Sequence, residues 1–146
     1  GTRWPNGFGH SFCWGLNANE SGRPLVIAPG GQWWRVLPAL NTVVASTLRE
    51  SRKKLSWTSL QVNVGTASAW HADAKNIGIS AVMAFGQFSG VFCLRPLPTF
   101  ALKKFDINGQ LLLFGGHLQH MSTPHKGFRI SVVAFQHPAR SLTTMG

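Results

Sequence analysis

The spacing of apolar and polar positions changes character twice along the chain. Residues 1 to about 35 hold no sustained period and are rich in Gly, Trp and Asn, with turn signals at Pro5-Asn6-Gly7 and Pro29-Gly30-Gly31. They predict an irregular, packed leader. From Gln32 to Lys54 the apolar residues Trp33, Val36, Leu37, Leu40, Val43, Val44 and Leu48 recur at three- and four-residue steps, and basic residues gather toward the end. That is one amphipathic helix, kinked or started by Pro38. Beyond it come short apolar runs separated by Gly, Asn and Pro: Ser59 to Val64, Gly78 to Phe85, Val91 to Leu94, Leu102 to Ile107, Gln110 to Phe114 and Phe128 to Phe135. Each reads as a strand, and Asn108-Gly109 between two of them signals a tight hairpin. Short strands behind a helix imply a β-sandwich or small barrel. With no repeat, linker or low-complexity segment, residues 1–146 read as a single domain, with a leader and helix over 1–55 and a β core over 56–138.

Composition agrees. A chain of 146 residues can bury roughly two thirds of its unfolded surface without staples. Hydrophobic residues make up 44% and charged residues 12%, with 16 glycines and 8 prolines, which suits strands and turns. Cys13 and Cys93 lack a Cys-x-x-Cys spacing, so neither a disulfide framework nor a zinc site is indicated and an intracellular, reducing compartment is expected. No apolar run approaches the ~18 residues of a membrane span. The chain opens on Gly1 rather than Met, as expected of a trimmed or excised domain. A net charge of +10 attracts polyanions, although a merely soluble basic domain has the same balance. Arg52-Lys53-Lys54 is the densest cluster and the expected phosphate contact.

With only 4 acidic residues in the chain, one that falls two positions from a histidine in an apolar stretch stands out. His71-Ala72-Asp73 at a strand end points both side chains to one side, where they can chelate one ion. A third ligand has to come from a distant segment, and His117, His120 and His125, all in the loop expected between Phe114 and Phe128, are candidates. Two imidazoles and a carboxylate with open positions favour Fe(II). The alternative is that His71 caps a strand end while Asp73 accepts turn N–H groups. Arg129 lies among Phe128, Ile130, Val132 and Val133, a poor place for an unpaired charge and a good one for a planar donor that grips a carboxylate.

The stretches Leu60 to Gly65, His71-Ala72-Asp73-Ala74-Lys75-Asn76, Phe88-Ser89-Gly90, Phe114-Gly115-Gly116 through His120, and Pro124 through Gly127, Arg129 and Ser131 carry a resemblance in order and spacing. Over about residues 57 to 137 the chain resembles the TET/base-J-binding-protein branch of the 2-oxoglutarate and Fe(II)-dependent dioxygenases, of a compact protist or algal type. It departs from the pattern where Ser89-Gly90 runs directly into Val91, and where Gly115 replaces the usual acidic middle residue of the Phe-x-Gly turn.

The resemblance implies a mainly β fold, a double-stranded β-helix or jelly roll, with one or two N-terminal helices packed on it. It implies His71, Asp73 and His120 as iron ligands and Arg129, helped by Ser131, as the grip on 2-oxoglutarate. Asn76 would contact the target base. The implied reaction consumes O2 and 2-oxoglutarate, with ascorbate as an accessory reductant. It oxidises the methyl group of 5-methylcytosine or thymine, presented as a flipped base of DNA; RNA is a further substrate class and the nucleus the expected location. Trp57 and Trp70 flank the metal motif and either stack on the base or pack in the core. Two alternatives remain open: an ascorbate-dependent relative that transfers a larger group to the methyl carbon, and a non-catalytic basic nucleic-acid-binding module.

Overall fold

A computed structural model describes residues 3–4, 10–18, 24–27, 33–73, 76–95 and 101–137. In chain order the elements are β1 (Arg3–Trp4), β2 (His10–Ala18), β3 (Pro24–Ile27), α1 (Trp33–Glu50), β4 (Ser59–Val64), β5 (Ala67–His71) and β6 (Ile77–Ser89). Then follow β7 (Phe92–Arg95), β8 (Lys103–Phe105), β9 (Leu112–Gly115), β10 (Gln119–Ser122) and β11 (Lys126–Gln136). Among the described residues the strands form a five-stranded sheet in the order β1-β5-β10-β7-β8 and a six-stranded sheet in the order β3-β2-β4-β11-β6-β9, with all of these strand pairs antiparallel. Two facing antiparallel sheets whose neighbours are distant in sequence make a double-stranded β-helix, as expected.

Alternation along β4 and β11 decides what each side of the larger sheet does. Leu60, Val132 and Ala134 turn to the outer face, where Val44 and Leu48 of α1 pack on them together with Trp57 and Ala81. Gln61, Asn63, Ser131 and Val133, on the opposite pleats, line the space between the sheets. A second apolar cluster, Val82, Ala84, Phe92, Leu94, Ile107 and Phe114, joins the two sheets. Trp57 is 2% exposed and donates its indole N–H to Asn41 Oδ1 at 2.8 Å, so it serves the helix-to-sheet core and not a base.

Four expectations need correction. The leader contributes strands: β2 pairs residue for residue with β4 from His10↔Val64 to Gly15↔Ser59, so its strand state comes from a neighbour's free edge and not from its own period. The turns expected at Pro5-Asn6-Gly7 and Pro29-Gly30-Gly31 lie outside the described residues. The helix ends at Glu50 and not at Lys54, because Arg52 adopts φ 55° while Lys53 N–H reaches Leu48 O at 3.0 Å and Arg52 N–H reaches Arg49 O at 3.1 Å. This is a Schellman stop built on arginine where glycine is usual. Pro38 lies inside the helix and does not start it.

Asn108-Gly109 makes a turn but not a hairpin. Gln110 N–H closes on Ile107 O at 3.2 Å with Gly109 at φ 70°, yet β8 pairs with β7 in one sheet and β9 with β6 in the other. The turn carries the chain between sheets and is pinned to β6 by Gly109 N–H to Ala84 O at 2.8 Å. The fourth correction concerns His120, expected in a loop: it stands on β10, opposite His71 and Leu94.

Candidate metal centre

Strand β5 ends on His71, and Asp73 follows two residues on, its backbone N–H held by Gly116 O at 2.8 Å. Register places His120 of β10 directly across from His71, with ring centroids 4.3 Å apart. One ligand atom from each of His71, Asp73 and His120 falls within 4.8 Å of the others. Among the described residues His117 and His125 take no part in this group.

The tautomers follow from the strands. His71 Nδ1 lies 2.8 Å from Ala69 O and His120 Nδ1 lies 2.7 Å from Leu118 O. A carbonyl oxygen only accepts, so each Nδ1 carries a proton and each ring turns its Nε2 toward the site. His120 Nε2 lies 3.3 Å from Asp73 Oδ2, a spacing that a proton on Nε2 satisfies as an ion pair and that a divalent ion shared by the two also satisfies. Two bonds of about 2.1 Å at right angles place donor atoms about 3 Å apart, so this donor set fits a divalent metal. Burial lowers the pKa of His71, and the neighbouring His120 adds to the shift, which keeps the ring neutral and ready to ligate. Burial raises the Asp73 carboxyl, but its contact with His120 and the charges of both imidazoles outweigh that, so it sits below its ordinary range. Phe92 and Phe114 pack against the His120 ring and fix its plane.

These groups open on a cavity of about 530 Å³ between the sheets. Asp73 is 38% exposed and His120 5%, so the open end is at Asp73. Asn76 lines this end, its N–H bonded to Asp73 O at 3.0 Å; Ala74 and Lys75 of the same motif lie outside the described residues. At the inner end Ser122 and Ser131 line the wall, and Ser131 accepts from Asn63 Nδ2 at 3.3 Å.

Arg129 lies behind Ser122, outside the cavity lining itself, 2% exposed and donating from Nη2 to Ser122 Oγ at 2.9 Å. Its Nε and Nη1 have no hydrogen-bond partner, and the ring of Phe88 lies 5.4 Å from the guanidinium carbon. Burial lowers its pKa, yet a guanidinium remains charged near neutrality. A buried cation with two unmatched donor atoms and no carboxylate among the described residues is a site for an anion.

Arg52, Lys53 and Lys54 are exposed and outside the cavity wall. The chain runs from them to Thr58, whose N–H bonds Phe135 O at 3.0 Å. Trp70 faces away from the cavity, beneath the Arg95 guanidinium at 4.4 Å. The sequence reading missed Gln61, Asn63, Ser122, Phe135 and His137, all of which line the cavity. The alternation that gives Leu60 and Val62 to the helix side gives Gln61 and Asn63 to the cavity, so that signal was available. His137 continues the Ser131, Val133, Phe135 face of β11 past its last paired residue.

No protein-family model and no curated protein sequence matches the chain. The fold is similar to that of “The structure of OsALKBH1”, with a TM-score of 0.55 at 15% identity, over 92% of this chain and 82% of that one. A likeness at this identity shows a shared fold, the double-stranded β-helix.

Proposed function

We propose that the chain is an Fe(II)- and 2-oxoglutarate-dependent dioxygenase of the TET/base-J-binding type, oxidising the methyl group of a 5-methylpyrimidine in DNA. The observation that carries this reading is the convergence of His71, Asp73 and His120, whose ligand atoms all lie within 4.8 Å of one another, with His120 Nε2 and Asp73 Oδ2 3.3 Å apart. His71, Asp73 and His120 would hold the iron on one side and leave its other side to the cavity. The Nε and Nη1 donors of Arg129 would hold the distal carboxylate of 2-oxoglutarate, with Ser131 beside it. The AlkB-like fold supports a nucleic-acid-modifying oxygenase in general; the choice of a methylpyrimidine rests on the motif resemblance.

When bound, iron and 2-oxoglutarate supply the oxidant: with O2 the co-substrate becomes succinate and carbon dioxide, and the second oxygen atom ends as hydroxyl on the methyl carbon. The protein's residues do the rest. Arg129 orients the dicarboxylate along the cavity, and the aromatic floor of Phe92 and Phe114 excludes water from behind His120. Phe135 offers an apolar face at the open end, while Asn76 and His137 offer polar groups that can meet the edge of a flipped base. An amide both donates and accepts, which suits either methylated pyrimidine.

The test is mass spectrometry of nucleosides from methylated DNA incubated with the protein, Fe(II), 2-oxoglutarate and ascorbate. The expected result is 5-hydroxymethylcytosine or 5-hydroxymethyluracil with stoichiometric succinate, absent with Asp73→Ala. Modified base without succinate would replace 2-oxoglutarate by ascorbate as co-substrate, and no modified base from metal-loaded protein would refute the reading.

A further inference from the structure

The two sheets differ on their outer faces. Helix α1 covers the larger sheet, whereas among the described residues no helix lies on the five-stranded sheet. Pleating sorts its side chains: Phe92 and Leu94 join the inter-sheet core and His71, His120 and Ser122 line the cavity, so Trp70, Gln119, Arg95 and, opposite Cys93, Lys104 point outward. The five strands carry Arg3, Arg95, Lys103 and Lys104 and not one acidic residue. Among the described residues Arg95 and Lys104 have no carboxylate partner.

Register fixes where this face lies. Strand β10 runs from Gln119 at the open end of the cavity to Ser122 beside Arg129, and Arg95 is paired with Gln119. Trp70 directly precedes the ligand His71. The Arg95 guanidinium reaches across β10 to stack on the Trp70 ring at 4.4 Å, which orders it.

We propose that Trp70, Arg95 and Lys104 form a docking face for the phosphate backbone of a DNA strand, on the lip of the cavity formed by the five-stranded sheet. This rests on the proposed function in so far as the strand is the one whose base enters the cavity. Arg95 and Lys104 stand on two adjacent strands, β7 and β8, and do not converge as they would around a small anion. A second copy of the chain, itself at +10, is repelled. One side of Trp70 is occupied by the guanidinium, so the ring acts as a platform for Arg95 and not as a base-stacking surface.

The experiment measures binding of a labelled duplex containing 5-methylcytosine at a series of salt concentrations, with no 2-oxoglutarate present. Arg95→Gln and Lys104→Gln should each reduce the slope of log affinity against log salt by about 0.9, and the double variant by about 1.8. Arg95→Lys should restore most of the slope. Lys126→Gln, which alters an exposed lysine at the inner end of β11, should leave it unchanged. Melting curves of each variant separate lost charge from lost folding. Unchanged slopes for Arg95→Gln and Lys104→Gln, in a protein whose wild type binds DNA and oxidises it, would overturn the docking face and leave the proposed function standing. Failure of the wild type to bind DNA would overturn both. Oxidation of a methylated trinucleotide, too short to reach this face, should proceed equally in wild type and Arg95→Gln; a loss there would also overturn the assignment, because it would place Arg95 in the chemistry.

Discussion

The two ends of the cavity are incomplete in opposite senses. At the open end, His120 Nε2 and Asp73 Oδ2 lie 3.3 Å apart with His71 beside them, a set of donor atoms suited to a cation. At the inner end, Arg129 offers Nε and Nη1 from a 2% exposed position as donors in want of an anion. Arg129 does not stabilise the fold alone, since an unmatched buried polar group costs about 1–3 kcal/mol. The difference teaches that the site gathers two charges of opposite sign, which under the proposed function a divalent metal and a dicarboxylate would complete together.

Removing the cation's seat should have the largest effect. Asp73→Ala should abolish turnover and lower Fe(II) or Co(II) affinity by roughly 100-fold or more, read by calorimetry. It should leave the folded state intact, because the Asp73 side chain is tied to His120 and not to the core. Breaking the other end should look different. Arg129→Met should leave metal affinity near that of wild type and weaken 2-oxoglutarate binding by about 10- to 100-fold, as expected for loss of charge-assisted hydrogen bonds worth about 1.5–3 kcal/mol. The same variant should melt at an equal or higher temperature without ligand, since it removes an unpaired buried charge. A fall of several degrees would mean that Arg129 is a structural residue.

Smaller effects sharpen the contrast by leaving both ends intact. Asn76→Ala and His137→Ala, at the open end, should lower turnover on DNA by about 10-fold, for interactions of roughly 1.4 kcal/mol, while succinate formed without DNA stays unchanged. Arg52→Gly should change neither ligand's affinity. It relieves the φ 55° conformation at the helix stop, and denaturant titration should show a gain of about 1 kcal/mol.

Much of this was legible in the sequence where pattern and partner agree. Strand β4 falls on Ser59–Val64 as its run of apolar residues indicates, because it is paired on both edges and buried on one face. Strand β11 was read two residues short at its N-terminal end and one at its C-terminal end, since pairing with β6 extends it over Lys126–Gln136. Strand β10 was invisible and β5 was legible only as a strand end at His71: Ala67 to Ala69 are small, Gln119 to Ser122 is mostly polar, and their strand state comes from pairing with each other and with β1 and β7. That is why His120 was sought in a loop although its partnership with His71 and Asp73 was expected. Arg129 stood out because a charge inside an apolar run needs a partner. The lip formed by Trp70 and Arg95 did not, because 25 residues of sequence separate two groups that meet only across β10.

The account turns on whether one cavity takes both missing charges together. Calorimetric titration of 2-oxoglutarate into anaerobic protein, with and without Fe(II), measures that most directly. The account predicts binding at least tenfold tighter with the metal present, a dependence lost in Asp73→Ala and weak binding under all conditions in Arg129→Met. Equal affinity with and without metal, or wild-type affinity in Arg129→Met, would contradict it.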